Sequence, residues 1–194
     1  MFDRRDFIAG SLTESSKVKL QVLEKCFGSI SSAADMLVEA VKNGRKILLA
    51  GNGGSAADSQ HIATEFMIRL SHDLDRPAIA AIALTTDSSN LTAGGNDIGF
   101  ENVIARSIEG IGCEGDVFIC ISTSGNSPNI LKAVETARTR NIKVVGFLGG
   151  TGGKLADKCD VAIIVPTANT QRIQECHITI GHILCEITER ELYG

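Results

Sequence analysis

Apolar positions along this chain follow two patterns that take turns. Short apolar runs at Ile47 to Ala50, Pro77 to Leu84, Asp116 to Ile121, Ile142 to Leu148 and Asp160 to Val165 lack polar alternation and are bounded by turn residues. Such runs are strands buried on both faces of a parallel sheet. Between them, apolar residues recur three and four apart. Val18, Val22, Ile30, Ala34, Leu37 and Val41 mark helix from about Ser15 to Lys42, with Gly28 as a break that divides it into two helices or kinks one. After the first strand, Ile62 and Phe66 mark a helix with Ser55 as its N-cap. Gly94 and Gly95 break a short helical piece, and Asn96 or Asp97 caps the run through Phe100, Val103, Ile104 and Ile108. Further helices are expected from Pro128, from Lys154 to Lys158 and from about Thr170 to Leu192. The alternation predicts an α/β fold, a three-layer αβα sandwich around a five-stranded parallel sheet, with long helices at both ends of the chain.

Composition narrows the function classes. With 194 residues, 43% of them hydrophobic, the chain fits one domain over 1–194 that includes an N-terminal helical segment of about 1–44. A formal net charge of -4 with no polybasic cluster gives no field for nucleic acid. No apolar run approaches the ~20 residues of a membrane span, and the first residues lack the core of a signal peptide, so a cytoplasmic protein without a membrane partner is expected. The six cysteines form no C-x-x-C pair and read as reduced core residues. Aromatic content of 4% without tryptophan argues against stacking platforms for bases or sugars.

Candidate chemistry is concentrated after two of the strands. In KILLAGNGGSAADSQHIATEF, Gly51, Gly53 and Gly54 allow positive φ and close backbone approach, and the helix that follows offers its N-terminus to an anion. Neither a dinucleotide fingerprint nor a P-loop is present, which favours a smaller ligand. His61 and Glu65, four residues apart, project from one helix face about 6 Å apart. The third strand runs into Ser122, Thr123, Ser124, Gly125, Asn126, Ser127 and Pro128, a loop rich in hydroxyls and devoid of positive charge that suits a phosphate monoester. In an open parallel sheet, ligands bind where such loops leave the carboxyl ends of the strands.

The joint occurrence of GNGGSAADSQHIATEF, GNDIGF, STSGNSPNI and RIQECHITIGHILCE, in this order from about Leu37 to Glu189, resembles the sugar isomerase (SIS) domain family, and within it the phosphoheptose isomerases that act on sedoheptulose 7-phosphate. The resemblance implies that Asn52, Gly53, Gly54 and Ser55 contact substrate, that Ser122, Thr123, Ser124 and Ser127 hold its phosphate, and that Asn96 and Asp97 lie at the sugar. It also implies a Zn²⁺ held by His61, Glu65, Gln174 and His182, with Gln174 also at the substrate and Glu65 and His182 as the acid/base pair. His177 matches a position that is commonly histidine in the family and is left outside the site. Asn169 and Gln171 stand where some members carry a carboxylate.

The implied reaction converts D-sedoheptulose 7-phosphate to D-glycero-D-manno-heptose 7-phosphate through an enediol, at the start of heptose synthesis for lipopolysaccharide or capsule. A ketose–aldose exchange needs a base, an acid at the carbonyl and an electrophile, which Glu65, His182 and zinc would supply. The competing reading is a non-catalytic SIS-fold protein that associates with the replication initiator, or an isomerase of another phosphosugar; retention of His61, Glu65, Gln174 and His182 favours the phosphoheptose isomerase. The family's homotetrameric habit gives one more expectation. Gln174 and His182 are eight residues apart, or about 12 Å along an unbroken helix, so either both side chains bend toward one ion or the site is completed across a subunit boundary; the tetrameric habit favours the second, with at least His182 supplied by a neighbour of the chain that holds His61 and Glu65.

Overall fold

The computed structural model describes residues 2–194. In chain order the elements are α1 (Arg4–Lys42), β1 (Ile47–Gly51), α2 (Gly54–Met67), β2 (Ala81–Ala83), α3 (Ser88–Asp97), α4 (Phe100–Ile111), β3 (Val117–Ser122), α5 (Pro128–Thr139), β4 (Lys143–Gly149), β5 (Val161–Val165) and α6 (Thr170–Tyr193), with a 3₁₀ turn at Gly153–Lys158 before β5. The five strands pair in parallel in the order β2-β1-β3-β4-β5. The chain enters the sheet at β1, steps outward to β2 and returns across β1 to build the other side. Strand order therefore reverses between β1 and β3, and there the loops after the two strands diverge to opposite faces and leave a crevice.

Alternation along the strands sorts the core into two layers. Ile47, Leu49, Ile119, Val145 and Phe147 face α1, α2 and α6. Leu48, Phe118, Cys120, Val144 and Leu148 face α4, α5 and the 3₁₀ turn. The expected αβα sandwich is thus present, with long helices at each end of the chain. Among the described residues no helix is long and apolar enough to cross a membrane.

The helical layer departs from the sequence expectation in four places. First, α1 is one helix running through Gly28, which is exposed and meets no neighbour. A glycine on a solvent face costs about 1 kcal/mol of helix propensity, and packing of Val18, Val22, Cys26, Ala33 and Ala34 on the core outweighs it. Second, α3 passes through Gly94 and Gly95. A Cβ at Gly94 would come within 2.8 Å of Val103 Cγ2, so this glycine lets α4 approach instead of ending α3. Third, Asn96 and Asp97 are the last residues of α3, and the N-cap of α4 is Gly99 with φ 83°. Fourth, the N-cap of α2 is Gly53 with φ 53°, which places Ser55 inside the first turn, buried. β2 is also shorter than its apolar run, because at the sheet edge only Ala81 to Ala83 pair with β1.

Candidate active site

The crevice is framed by the glycine loop after β1 and the hydroxyl loop after β3. Gly51 is required by proximity, since a Cβ there would lie 2.6 Å from Ser55 Cβ in the first turn of α2. Across the crevice, Asn52 Nδ2 donates to Asn129 Oδ1 and Asn129 Nδ2 donates to Asn52 Oδ1, both at 2.9 Å. This reciprocal amide pair ties the first loop to the start of α5. Asn129 is buried, and sequence reasoning missed it: its only signal is a position one residue past Pro128.

In the hydroxyl loop, Ser122 is buried and its Oγ lies 3.1 Å from Ser127 Oγ. Ser124 Oγ accepts from the Asn126 N–H at 3.2 Å, and Gly125 takes φ 64°. Ser127 is the N-cap of α5 with extended φ/ψ, yet its side chain caps no helix N–H. Its hydroxyl is turned toward Ser122 instead. Pro128 follows at the first helical position, where a missing N–H costs nothing. The loop therefore offers hydroxyls and a helix N-terminus to an anion without a cation of its own.

The second cluster lies where α2 and α6 run side by side. His61 Nε2 is 3.0 Å from Glu65 Oε1 and 3.2 Å from His182 Nε2. One ligand atom from each of His61, Glu65 and His182 falls within 4.8 Å of the others. All three belong to one chain, which overturns the expectation that a neighbour supplies His182. The reason is helix packing. A Cβ at Gly181 would lie 2.5 Å from Ile62 Cδ1, so the absent side chain lets α6 close on α2. Toward the other end of the helix pair, a Cβ at Gly54 would lie 2.6 Å from Gln174 Nε2. The two helices thus run in the same direction, with Gln174 beside the glycine loop and His182 beside His61. The axial spacing of Gln174 and His182 is matched along α2 and needs no second subunit.

Asp58 stands one turn before His61 on the same side of α2, a D-x-x-H-x-x-x-E spacing that could have been read from the sequence and was not. Its Oδ2 is buried without a hydrogen-bond partner. Burial pushes its carboxyl above the ordinary value, and His61 pulls it back.

Three contacts hold the frame. Arg76 donates from Nε to Glu189 Oε1 at 2.7 Å and from Nη2 to the Glu65 backbone oxygen at 2.8 Å, clamping the ends of α2 and α6. Arg172, buried, donates to the Ser11 carbonyl and pairs with Glu175 at 2.7 Å, fixing the start of α6 against α1. His177 lies 3.0 Å from the Leu148 carbonyl, fully buried, and burial pulls it down to about 4 so that it stays neutral. It packs α6 on β4. Asn169 is the N-cap of α6, accepting from Gln171 N at 3.1 Å.

Asn96 and Asp97 remain apart from both clusters. They are exposed at the end of α3, where Asn96 Nδ2 donates to Asp97 Oδ1 at 2.7 Å. Among the described residues they share no hydrogen bond with the other candidate residues.

Residues 12–149 match the sequence profile of the SIS domain. The chain is 53% identical over 196 residues to phosphoheptose isomerase 2 of Campylobacter jejuni, covering 100% of this chain and 96% of that protein. Its fold is similar to two solved phosphoheptose isomerases. The one from Neisseria gonorrhoeae gives a TM-score of 0.90 at 38% identity, and the one from Francisella tularensis 0.93 at 35%. Each alignment covers 97% of this chain and 100% of the other.

Proposed function

Because this chain belongs to the SIS domain family and matches phosphoheptose isomerases along nearly its whole length, we propose that it interconverts D-sedoheptulose 7-phosphate and D-glycero-D-manno-heptose 7-phosphate. The observation that carries this reading is the convergence of His61, Glu65 and His182 on the helices α2 and α6, in a fold whose switch point carries a cation-free hydroxyl loop. The phosphate is bound by Ser122, Thr123, Ser124 and Ser127 with the N-terminus of α5. The sugar lies toward Asn52, Gly53, Gly54, Ser55 and Gln174, with Asn96 and Asp97 at its far side.

The donor set fits a Zn²⁺. Ligands about 2.05 Å from a tetrahedral centre stand roughly 3.3 Å apart, close to the 3.0 and 3.2 Å separations at His61. His61, Glu65 and His182 would hold the ion; Gln174, whose amide lies beside the glycine loop, would have to turn toward them to serve as fourth ligand. When bound, it supplies positive charge that polarises the substrate carbonyl. The proton work falls to the side chains. Glu65 presents Oε1 to His61, which leaves Oε2 for the substrate. It takes a proton from C1 as His182, through the ring nitrogen not turned toward His61 and the ion, gives one to the C2 oxygen, forming the enediol. Delivery of a proton from Glu65, exchangeable with solvent while the enediol lasts, to C2, with the O1 proton passing to His182, completes the aldose.

We place the reaction in the cytoplasm, as the first step of heptose synthesis for lipopolysaccharide or capsule. The working form is a homotetramer, a reading supported by Phe7, Ile8, Leu12, Leu20, Leu23 and Phe27 exposed along α1.

Incubating the zinc-loaded protein with sedoheptulose 7-phosphate is expected to yield the aldose, followed by NMR. Chelation should suppress turnover and added zinc restore it, while His61→Ala lowers the zinc content measured by elemental analysis. No turnover by fully loaded protein would return the chain to the binding-only reading. Ser124→Ala and Ser127→Ala should each raise KM for the phosphorylated ketose by roughly tenfold or more, the loss of a hydrogen bond to a charged group. An equal loss for an unphosphorylated analogue would remove the phosphate from this loop.

A further inference from the structure

Cys120, on β3, and Cys159, between the 3₁₀ turn and β5, are 39 residues apart in the sequence, yet their sulfurs are 3.9 Å apart. The position between them explains the approach. Cys120 on β3 is in register with Gly146 on β4, and Gly146 is in register with Ala162 on β5. A Cβ at Gly146 would lie 2.7 Å from Cys159 Sγ. The missing side chain on β4 opens a path by which Cys159, just before β5, reaches over the middle strand to Cys120. Cys120 is fully buried and Cys159 is half-buried, so Cys159 is the member of the pair nearer solvent.

We propose that Cys159 and Cys120 form a peroxide-sensitive dithiol that closes to an intrachain disulfide and, in closing, weakens the phosphate site. Cys159, as thiolate, attacks a peroxide oxygen; the S–O bond forms, the O–O bond breaks and the departing hydroxide is protonated to water. Cys120 then loses its proton and attacks the Cys159 sulfur. The S–S bond forms, the S–O bond breaks and the second hydroxide leaves as water with that proton. Two thiols lose two electrons and hydrogen peroxide is reduced to two waters.

The surroundings support this division of roles. The hydrogen bond shared with Cys120 lowers the Cys159 thiol against the opposing effects of its burial and of Asp160, with Arg138 adding a smaller pull downward. The same bond, with complete burial, raises Cys120 well above the ordinary value. A lowered thiol on the solvent side of a pair, beside a resolving partner, is an arrangement that redox-sensitive cysteines share.

Closure has a mechanical result. A disulfide brings its sulfurs to about 2.05 Å, so the pair must draw together by roughly half of its present separation. Cys120 lies two residues before Ser122. Cys159 ends the 3₁₀ turn, which touches the hydroxyl loop through Leu155 N to Gly125 O at 3.1 Å and Lys154 N to Asn126 Oδ1 at 3.1 Å. Both anchors of the loop are therefore pulled at once. This second half of the proposal rests on the reading of that loop as the phosphate site; the disulfide itself does not.

The test uses the full-length, zinc-loaded protein carrying Cys113→Ser, which removes an exposed thiol outside the pair. Hydrogen peroxide is expected to yield a Cys120–Cys159 crosslinked peptide by mass spectrometry, reversed by dithiothreitol and absent in Cys159→Ser. With the crosslink, KM for the phosphorylated ketose should rise by about tenfold, the equivalent of one charged hydrogen bond, while reduced Cys159→Ser keeps the parental KM under peroxide. Oxidation of Cys159 to sulfinic or sulfonic acid without a crosslink would overturn the dithiol. A crosslink that leaves KM unchanged, in a protein whose KM responds to Ser127→Ala, would overturn the coupling. If Ser127→Ala is also silent, the fault lies with the phosphate reading.

Discussion

Glu65→Gln is expected to lower kcat by about 10²–10⁴-fold with little change in fold or stability. The amide has nearly the shape of the carboxylate, and its place on α2 is set by Ile62 and Phe66, which pack in the core beside it. What the substitution removes is the ability to accept a proton from carbon. The distinguishing measurement is exchange: in heavy water the native enzyme should place solvent deuterium on the sugar carbons, and Glu65→Gln should not. Zinc content, measured alongside, separates loss of the base from loss of a ligand. Turnover within tenfold of the native enzyme, at equal zinc content, would take the base role from Glu65.

The second large effect is expected at a distance from the chemistry. Arg76 and Glu189 have side chains 1% and 3% exposed. Arg76→Ala leaves a buried carboxylate without its partner, a loss of about 3–5 kcal/mol, or roughly 6–20 °C in Tm for a chain of this size. It also releases the Glu65 carbonyl that Arg76 holds at the end of α2. A paired change, Arg76→Met with Glu189→Leu, should recover much of the stability, because no buried charge then stands alone. If thermal unfolding of Arg76→Ala lies within 2 °C of the native chain, the clamp contributes little.

The strands were legible because a sheet covered on both faces requires uninterrupted apolar runs, and five such runs gave the five strands. The two loops were legible for a related reason: glycines and hydroxyls directly after a buried strand have little packing role. Errors arose where a residue's meaning depends on what faces it. Gly28 and Gly94 look alike in sequence, yet one faces solvent and the other accommodates Val103. The assignment of His182 to a neighbouring subunit used the rise along α6 alone and ignored that α2 runs beside it. Gly181 held the missing information, but its importance is visible only once Ile62 is seen against it. Asn129 and Asp58 were missed because each acts through a partner, Asn52 or His61, on another loop or turn. The Zn²⁺ and the tetramer entered through resemblance, since no pattern within one chain dictates either.

The reciprocal amide pair between Asn52 and Asn129 also bears on the timing of order. Each amide uses one N–H and one oxygen lone pair on the other, and Asn52, the exposed member, retains a second N–H to offer a ligand. The rims of the crevice are stitched together before any ligand arrives, so their freedom is lost during folding and not again at each encounter. Substrate then meets a seam already closed. Separating the rims, as in Asn129→Ala, would leave the same contacts available but require them to be assembled anew in every catalytic cycle.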